Sequence, residues 1–408
     1  MSKQLKSAEF EQLAKEHYFY PQEQLAEVEK NNHTLTIGIP KESYAFEHRV
    51  ALTPEGVAVL VANGHEVVIE SGAGDNAHFY DREYGEAGAK IEYSKERVFA
   101  SEIVLKVEAP TIEELQLLKP NKTLISTLPM AKITPQFIQE LNKKRITGIA
   151  YEYMQDKSGG MPVVRAMSEI AGSTVMLIAA EYLSSVNKGR GIILGGITGV
   201  PPTKVVILGA GTVAEYAART ALGLGAEIKI FDNHLYKLRR LKYALGHQIF
   251  TSTLNTIALT EALSRADVAI GAIRAEEGRP QCVVTEEMVA QMKPNSVIID
   301  VTIDQGGCFE TSEIATHQSP VFKKHGVIHY CVPNIASRVA HTSSIALSNI
   351  FVPMLLKIAS FGGIEKMMIA NKWASKGVYA YRGKITNAAV GRKLEMPFND
   401  ISLLLAGL

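Results

Sequence analysis

Cysteine is scarce in this sequence: Cys282, Cys308 and Cys331 stand far apart and outside any Cys-x-x-Cys or Cys/His metal pattern. That excludes a disulfide framework and a zinc module, and buried free thiols in a reducing compartment are expected. An excess of one charge is also missing, since 43 Lys and Arg face 42 Asp and Glu for a formal net charge of +1. Such a balance provides no footprint for nucleic acid or for an anionic membrane. The longest apolar stretch, Ser343 to Ile364, is interrupted by Asn349, Pro353 and Lys357, so it reads as a buried helix and not as a membrane span. The N-terminus has no apolar signal core and carries Glu9, Glu11, Glu16, Glu23, Glu27 and Glu29 instead. Residues 1–34 therefore read as a helical extension, neither a secretion signal nor a transit peptide. What remains is a cytoplasmic globular protein, and 408 residues at 46 % hydrophobic and 21 % charged content suffice for two domains with a substantial core each.

Against this background one segment stands out. Lys204 to Leu208 reads as a strand, Gly209-Ala210-Gly211 as a tight turn, the residues from Thr212 as a helix, and Ile228 to Phe231 as a second strand ending at Asp232. Gly209 permits the turn and Gly211 lets a pyrophosphate approach the backbone, while the helix behind them aims its first amides at the phosphate charge. Ala214 takes the third glycine position, small enough for the helix to pack on the strand. The Asp232 carboxylate suits a ribose diol and repels a 2′-phosphate, which favours NAD over NADP. Lys237, Arg239 and Arg240 follow it and read as a solvated helix face.

Strand and helix patterns alternate on both sides of this motif. Strands are predicted near Leu35, Glu66, Ile103, Thr123 and Thr147, and again near Val205, Ile228, Ile249, Val268, Val297 and Val327. Helices are predicted at Pro54–Asn63, Thr111–Leu118, Pro135–Lys143, Ser168–Ser185 and Ser343–Ile358. The fold class is α/β: two Rossmann-like doubly wound domains of parallel strands with helices on both faces. The nucleotide domain, residues 166–341, is inserted in a discontinuous substrate domain made of residues 35–165 and 342–408. Ligands in such folds bind beyond the carboxyl ends of the strands.

Three groups fall at those ends. Lys106 interrupts an apolar strand, where an unpaired charge is costly. It reads either as a salt-bridged structural lysine or, with its pKa lowered by desolvation, as a proton-transfer or substrate-binding group. Arg49, in the loop after the first strand, has a planar guanidinium able to clamp a substrate carboxylate. Asp300 and Asp304 bracket the end of another strand, with Asp304 better placed for the cleft.

Ile37–Glu42, His48–Pro54, Ser71–Gly74, Leu105–Val107, Met167–Gly172, Gly189–Gly191, the glycine turn, Ile303–Glu310 and Thr342-Ser343 together resemble the family of alanine dehydrogenase and the NAD-binding domain of proton-translocating transhydrogenase. The similarity runs in order from Leu35 to the C-terminus, with wording closer to the dehydrogenases. It implies NAD-dependent interconversion of L-alanine and water with pyruvate and ammonia. Arg49 and Lys106 would hold the substrate carboxylate and carbonyl, Asp304 would complete the amino-group chemistry, and Ser168, Asp232 and Asn334 would contact the dinucleotide. It also implies a homo-oligomer, commonly a hexamer, acting on a small molecule without a metal.

The sequence departs from that pattern at Pro129. Alanine dehydrogenases carry a catalytic histidine in a Leu-His-Leu-Ala context where this chain reads Leu128-Pro129-Met130-Ala131. His341 and His48 are candidates to replace it, beside Lys106 and Asp304. Ile273–Gln281 and Asn334–Thr342 also depart from the family's loops. Two alternatives follow: a separately encoded NAD-binding component of a transhydrogenase, or a related reductase of another oxo acid or imine recognised through Arg274, Arg279 or Arg338.

Overall fold

The computed structural model describes residues 33–129, 132–274, 282–371 and 374–406. Most of the N-terminal extension expected over residues 1–34 lies outside them, as do Met130, Ala131 and Arg279.

Two sheets organise the molecule. The first is built on β1 (Thr36–Ile39), β2 (Glu66–Glu70), β3 (Lys90–Glu92), β4 (Ile103–Leu105), β5 (Thr123–Ser126) and β6 (Thr147–Ala150). The second uses β7 (Lys204–Leu208), β8 (Glu227–Phe231), β9 (Phe250–Ser252), β10 (Val268–Gly271), β11 (Val297–Asp300), β12 (Val321–Lys324) and β13 (Val327–Tyr330). The chain then returns to the first sheet with β14 (Val378–Tyr381) and β15 (Lys384–Ile385). The strand orders are β15-β14-β6-β5-β4-β1-β2-β3 and β12-β13-β11-β10-β7-β8-β9. Counting parallel strands alone, both contain the order 3-2-1-4-5-6 of a doubly wound fold, so each has a switch point, between β1 and β4 and between β7 and β10, where a crevice opens.

The central strands are buried on both faces, which explains their continuous apolar sequences: β4, β5, β6, β10 and β11 have no exposed residue. Helix starts are fixed locally. Thr53 caps Pro54–Ala62, and Thr111 and Glu114 form a reciprocal capping box at the start of Ile112–Leu117. In the long helix Ala340–Ser360, Leu347, Phe351 and Leu355 recur every fourth residue and are fully buried in the first core.

The sheets are mixed where the sequence reads as all parallel. β14 runs antiparallel to β6 and to β15, and β12 antiparallel to β13. Both hairpins close through two residues with positive φ, Arg382-Gly383 (48° and 81°) and His325-Gly326 (50° and 75°), the backbone that a tight hairpin turn requires. The C-terminal segment thus supplies edge strands as well as helices. The cysteines need a correction too: Cys308 and Cys331 are buried, but Cys282 is exposed.

Candidate active site

The switch point of the first sheet places Glu42 beyond β1 and Lys106 directly after β4. Lys106 is 1 % exposed, and a buried ammonium demands anions. Its Nζ lies 2.6 Å from Glu42 Oε2 and 3.7 Å from Glu114 Oε2. Glu42 also accepts the N–H groups of Val107 at 2.7 Å and Glu108 at 3.2 Å, tying the β1 and β4 loops together. Burial alone presses an ammonium down, but here the charges of Glu42 and Glu114 outweigh it and raise Lys106 above its ordinary value. The sequence-based expectation of a lowered lysine pKa is therefore reversed: the desolvation is present, and the carboxylates beside it overcome it.

Arg49 is equally tied. Its Nε donates to Glu47 Oε1 at 2.7 Å and its Nη2 to Glu47 Oε2 at 2.6 Å, with Nη1 3.3 Å from the Met167 sulfur. Burial pushes the Glu47 carboxyl up, but the charge and hydrogen bonds of Arg49 more than reverse this and hold it below the usual range. Glu47 thus occupies the side edge of the guanidinium, and the Nη1/Nη2 end remains as the edge for a second carboxylate. Asn334, in a left-handed backbone conformation, donates its side-chain N–H to Glu47 Oε2 at 2.8 Å. It reaches this site from the segment after β13, so it joins the two halves beside Arg49.

Pro129 follows β5. The N–H of the preceding Leu128 donates to Glu152 Oε1 at 2.7 Å, and the Pro129 carbonyl accepts from Lys132 N–H at 2.9 Å. Glu108 and Glu152 therefore stand on either side of the β5 end. Neither was legible as a site residue in the sequence, and nor were Glu42, Glu47 and Glu114. The available signal was Lys106 itself, since a buried lysine at a strand end calls for acids after the neighbouring strands.

In the second sheet the glycine turn lies between β7 and the helix Thr212–Gly223. Gly209 has φ 107°, and a Cβ there would lie 2.5 Å from the Ala272 carbonyl oxygen, in the chain leaving β10. Gly211 is different: its φ is ordinary, and a Cβ would meet no protein atom within 4 Å. As the N-cap of the helix it has no side-chain cap bond, so the first helical amides face open space. A phosphate fits this cradle. Ala214 is fully buried against the sheet. Asp232 accepts Ala210 N–H at 2.8 Å and His234 N–H at 2.7 Å, so it braces the turn from the end of β8. Arg240 donates to the Ala210 carbonyl at 3.1 Å, so the basic face behind the turn includes a residue that also braces it.

The remaining candidates lie along the line between the halves. Ser168 is half-buried on the helix Pro162–Leu183, one residue from the Met167 that touches Arg49. Four residues further on, a Cβ at Gly172 would lie 2.4 Å from the Val213 carbonyl, which shows how closely this helix packs on the nucleotide helix. Asp304, in the turn Ile303–Gln305, is exposed at its surface, yet partial burial pushes its carboxyl above the ordinary value against the pull of Arg274. Asp300 is fully buried and accepts from Cys308, Ser312 and Thr302, a structural role. His341 is drawn away into a packing contact, with Nδ1 2.7 Å from the Ala77 carbonyl and its ring stacked on Phe79. Arg338 pairs with Glu181, and the His48 N–H donates to Ser337 Oγ at 2.9 Å.

Models of the alanine dehydrogenase/PNT N-terminal and C-terminal domains match residues 38–171 and 175–388. The chain belongs to the alanine dehydrogenase/PNT family. It is 39 % identical over 373 residues to an alanine dehydrogenase of Mycolicibacterium smegmatis, covering 91 % of this chain and all of that one. Among solved structures, an L-alanine dehydrogenase superposes with a TM-score of 0.83 at 36 % identity, covering 88 % of this chain and 98 % of the other. A transhydrogenase from Sinorhizobium meliloti superposes with a TM-score of 0.74 at 25 % identity, covering 87 % and 99 %. The α/β architecture of two doubly wound sheets expected from the alternation of strand and helix patterns is the one observed.

Proposed function

We propose that this protein is an NAD-dependent L-alanine dehydrogenase, interconverting L-alanine and water with pyruvate and ammonia. The observation that carries the reading is the Nη1/Nη2 end of Arg49, turned outward by Glu47 and met at Nη1, among the described residues, by the polarisable Met167 sulfur alone, beside Asn334 from the segment after β13. NAD held in the glycine-turn cradle would supply the hydride acceptor for the substrate Cα. The chain's own residues do the rest. Arg49 binds the substrate carboxylate through its end edge. Lys106, permanently charged between Glu42 and Glu114, turns its remaining N–H toward the carbonyl oxygen and stabilises charge there. Asp304 approaches the amino group from the nucleotide side. Gly209, Gly211 and Ala214 shape the dinucleotide cradle, Asp232 and Ser168 border it, and Asn334 fixes the approach of the two halves. Residues 166–341 make up the nucleotide domain in this reading, and the assembly is a homo-oligomer in the cytoplasm, which light scattering and fractionation test.

Pro129 stands where the family resemblance places a catalytic histidine, and a proline transfers no proton. That favours a second reading, the NAD-binding component of a transhydrogenase, which binds NADH and turns over no amino acid. NADH oxidation with pyruvate plus ammonium, and NAD reduction with L-alanine, separate the two. Turnover by the unmodified protein supports the dehydrogenase. NADH binding without turnover, in the unmodified chain and in Pro129→His alike, supports the other.

A further inference from the structure

An amino-acid dehydrogenase moves protons as well as a hydride: the substrate amine must shed a proton before the Cα–H pair can leave. Among the described residues at the carboxyl edge of the first sheet, Arg49 and Lys106 are locked in their charged forms by Glu47 and by Glu42 with Glu114. Pro129 has nothing to titrate. Two carboxyls stand beside it. Glu108 lies just beyond β4 and Glu152 just beyond β6, with β5 between them. Consecutive residues after β5 hold the pair: Thr127 Oγ1 donates to Glu108 Oε1 at 3.2 Å, and Leu128 N–H donates to Glu152 Oε1 at 2.7 Å.

The two carboxyls differ in surroundings. The Glu108 side chain is 14 % exposed, accepts the Ala109 N–H at 3.0 Å and lies 3.2 Å from Lys132 Nζ. Glu152 Oε2 is buried, and no described residue hydrogen-bonds it. A buried carboxylate oxygen without a donor favours the protonated acid. Burial pushes the Glu152 carboxyl up to about 7 against the pull of the Leu128 N–H, and the charge of Glu108 adds to the rise. The other titratable groups around it are Tyr151 and Tyr153 on its own turn and Tyr379 on β14, all raised by burial and therefore protonated at neutral pH. Arg274 acts on Tyr153 from the nucleotide half.

We propose that Glu108 and Glu152 carry the reaction's proton as a pair that shares one between them, Glu108 meeting the substrate nitrogen and Glu152 storing the proton behind it. The assignment rests on the dehydrogenase reading above. In the oxidative direction an N–H bond of the substrate ammonium breaks and its electron pair stays on nitrogen. That pair becomes the C=N bond as the Cα–H pair leaves as hydride, so Cα is oxidised and NAD is reduced. The oxidative step starts from the ionised pair, so the proton passes to Glu108 and forms an O–H bond on Glu152; reductive amination starts from the protonated pair, and the same O–H bond breaks as the proton returns to nitrogen.

Glu152→Gln keeps the acceptor for Leu128 N–H and the side-chain volume but takes up no proton. It is expected to lower kcat at least ~100-fold while KM and the NADH Kd stay within about threefold, and to remove the inflection near pH 7 from the kcat profile. Glu108→Gln should fall comparably, and the double variant no further than the worse single variant, because the pair works as a unit. A Glu152→Gln protein within threefold of the unmodified kcat, with the same pH profile, overturns the proposal. Carboxyl-13C NMR of the cofactor-free protein gives a readout independent of turnover. A glutamate signal with a midpoint near 7 should vanish in Glu152→Gln, while that of Glu42 is assigned through Glu42→Gln. A Glu152 signal with a midpoint below 5, in a protein that does turn over alanine, overturns the proposal alone. Absence of amino-acid turnover by the unmodified protein overturns the dehydrogenase reading and the pair's role with it.

Discussion

Arg49 gives its Nε–Nη2 edge to Glu47, at 2.7 and 2.6 Å, and Glu47 is itself held by Asn334 from the other half of the molecule. The acid thus aims the arginine and couples that aim to the approach of the two halves. Glu47→Gln keeps the shape but leaves a buried guanidinium without its counter-charge. We expect a loss of about 3 kcal/mol in stability and a KM for alanine raised at least ~10-fold, with NADH affinity nearly unchanged. Urea denaturation and steady-state kinetics read both; an unchanged KM would remove Arg49 from substrate binding.

The two glycines of the nucleotide turn should respond oppositely to the same substitution. At Gly209 a methyl group meets the Ala272 carbonyl at 2.5 Å on a backbone with φ 107°, so Gly209→Ala should destabilise the fold by about 1–3 kcal/mol. At Gly211 the methyl group enters open space at an ordinary φ. Gly211→Ala should therefore leave the thermal midpoint within a degree or two and weaken NADH binding at least ~10-fold, because only a ligand occupies that space. Calorimetric melting beside fluorescence titration with NADH separates the two effects. Unimpaired NADH binding by Gly211→Ala would place the pyrophosphate elsewhere.

Asp232 has two jobs in one carboxylate, bracing Ala210 N–H and repelling a 2′-phosphate. Asp232→Ser removes the charge and keeps an oxygen near the turn. NADH should bind more weakly and NADPH relatively better, narrowing the preference by ~10-fold or more, with Lys237 and Arg240 close enough to meet the added phosphate. Competition titrations with both nucleotides measure the ratio; an unchanged ratio would take cofactor discrimination away from Asp232.

What was legible in the chain follows from how each feature is encoded. Parallel strands buried on both faces write themselves as continuous apolar runs, so β1, β2, β4, β5, β6 and the glycine turn could be read directly, whereas the short, polar and partly exposed edge strand β3 could not. The C-terminal hairpin could not, because its turn is Arg382-Gly383 in place of the usual Asn-Gly pair and its partner β6 comes from the other end of the chain. The same division runs through the site. Lys106 was conspicuous as a charge in an apolar strand, whereas Glu42 and Glu114 became its partners only when β1 and β4 met at the switch point. Knowing the burial without the partners gives the wrong direction for its pKa.

The acids of the site divide by environment, and the division predicts how stability follows pH. Glu47 and Glu114 are lowered, so their contribution is complete above the ordinary carboxyl range and is lost as acid protonates them below pH 4.5. Glu152 has the opposite sign. Its carboxyl titrates near 4.5 in the unfolded chain and near 7 in the folded one, so the folded state binds the proton more tightly. Its contribution is complete below pH 4.5 and is lost as pH rises through 7, on the order of 3 kcal/mol at most. Glu42, raised to about 7 by burial despite Lys106, adds in the same direction. The unmodified protein should therefore lose stability between about pH 4.5 and 8, well before its tyrosines and lysines titrate. Glu152→Gln, which cannot ionise, should flatten that decline without altering the acid limb set by Glu47 and Glu114. Urea unfolding at intervals of one pH unit measures both limbs, and a decline between about pH 4.5 and 8 that is identical in the variant would show that Glu152 is already ionised in the folded protein.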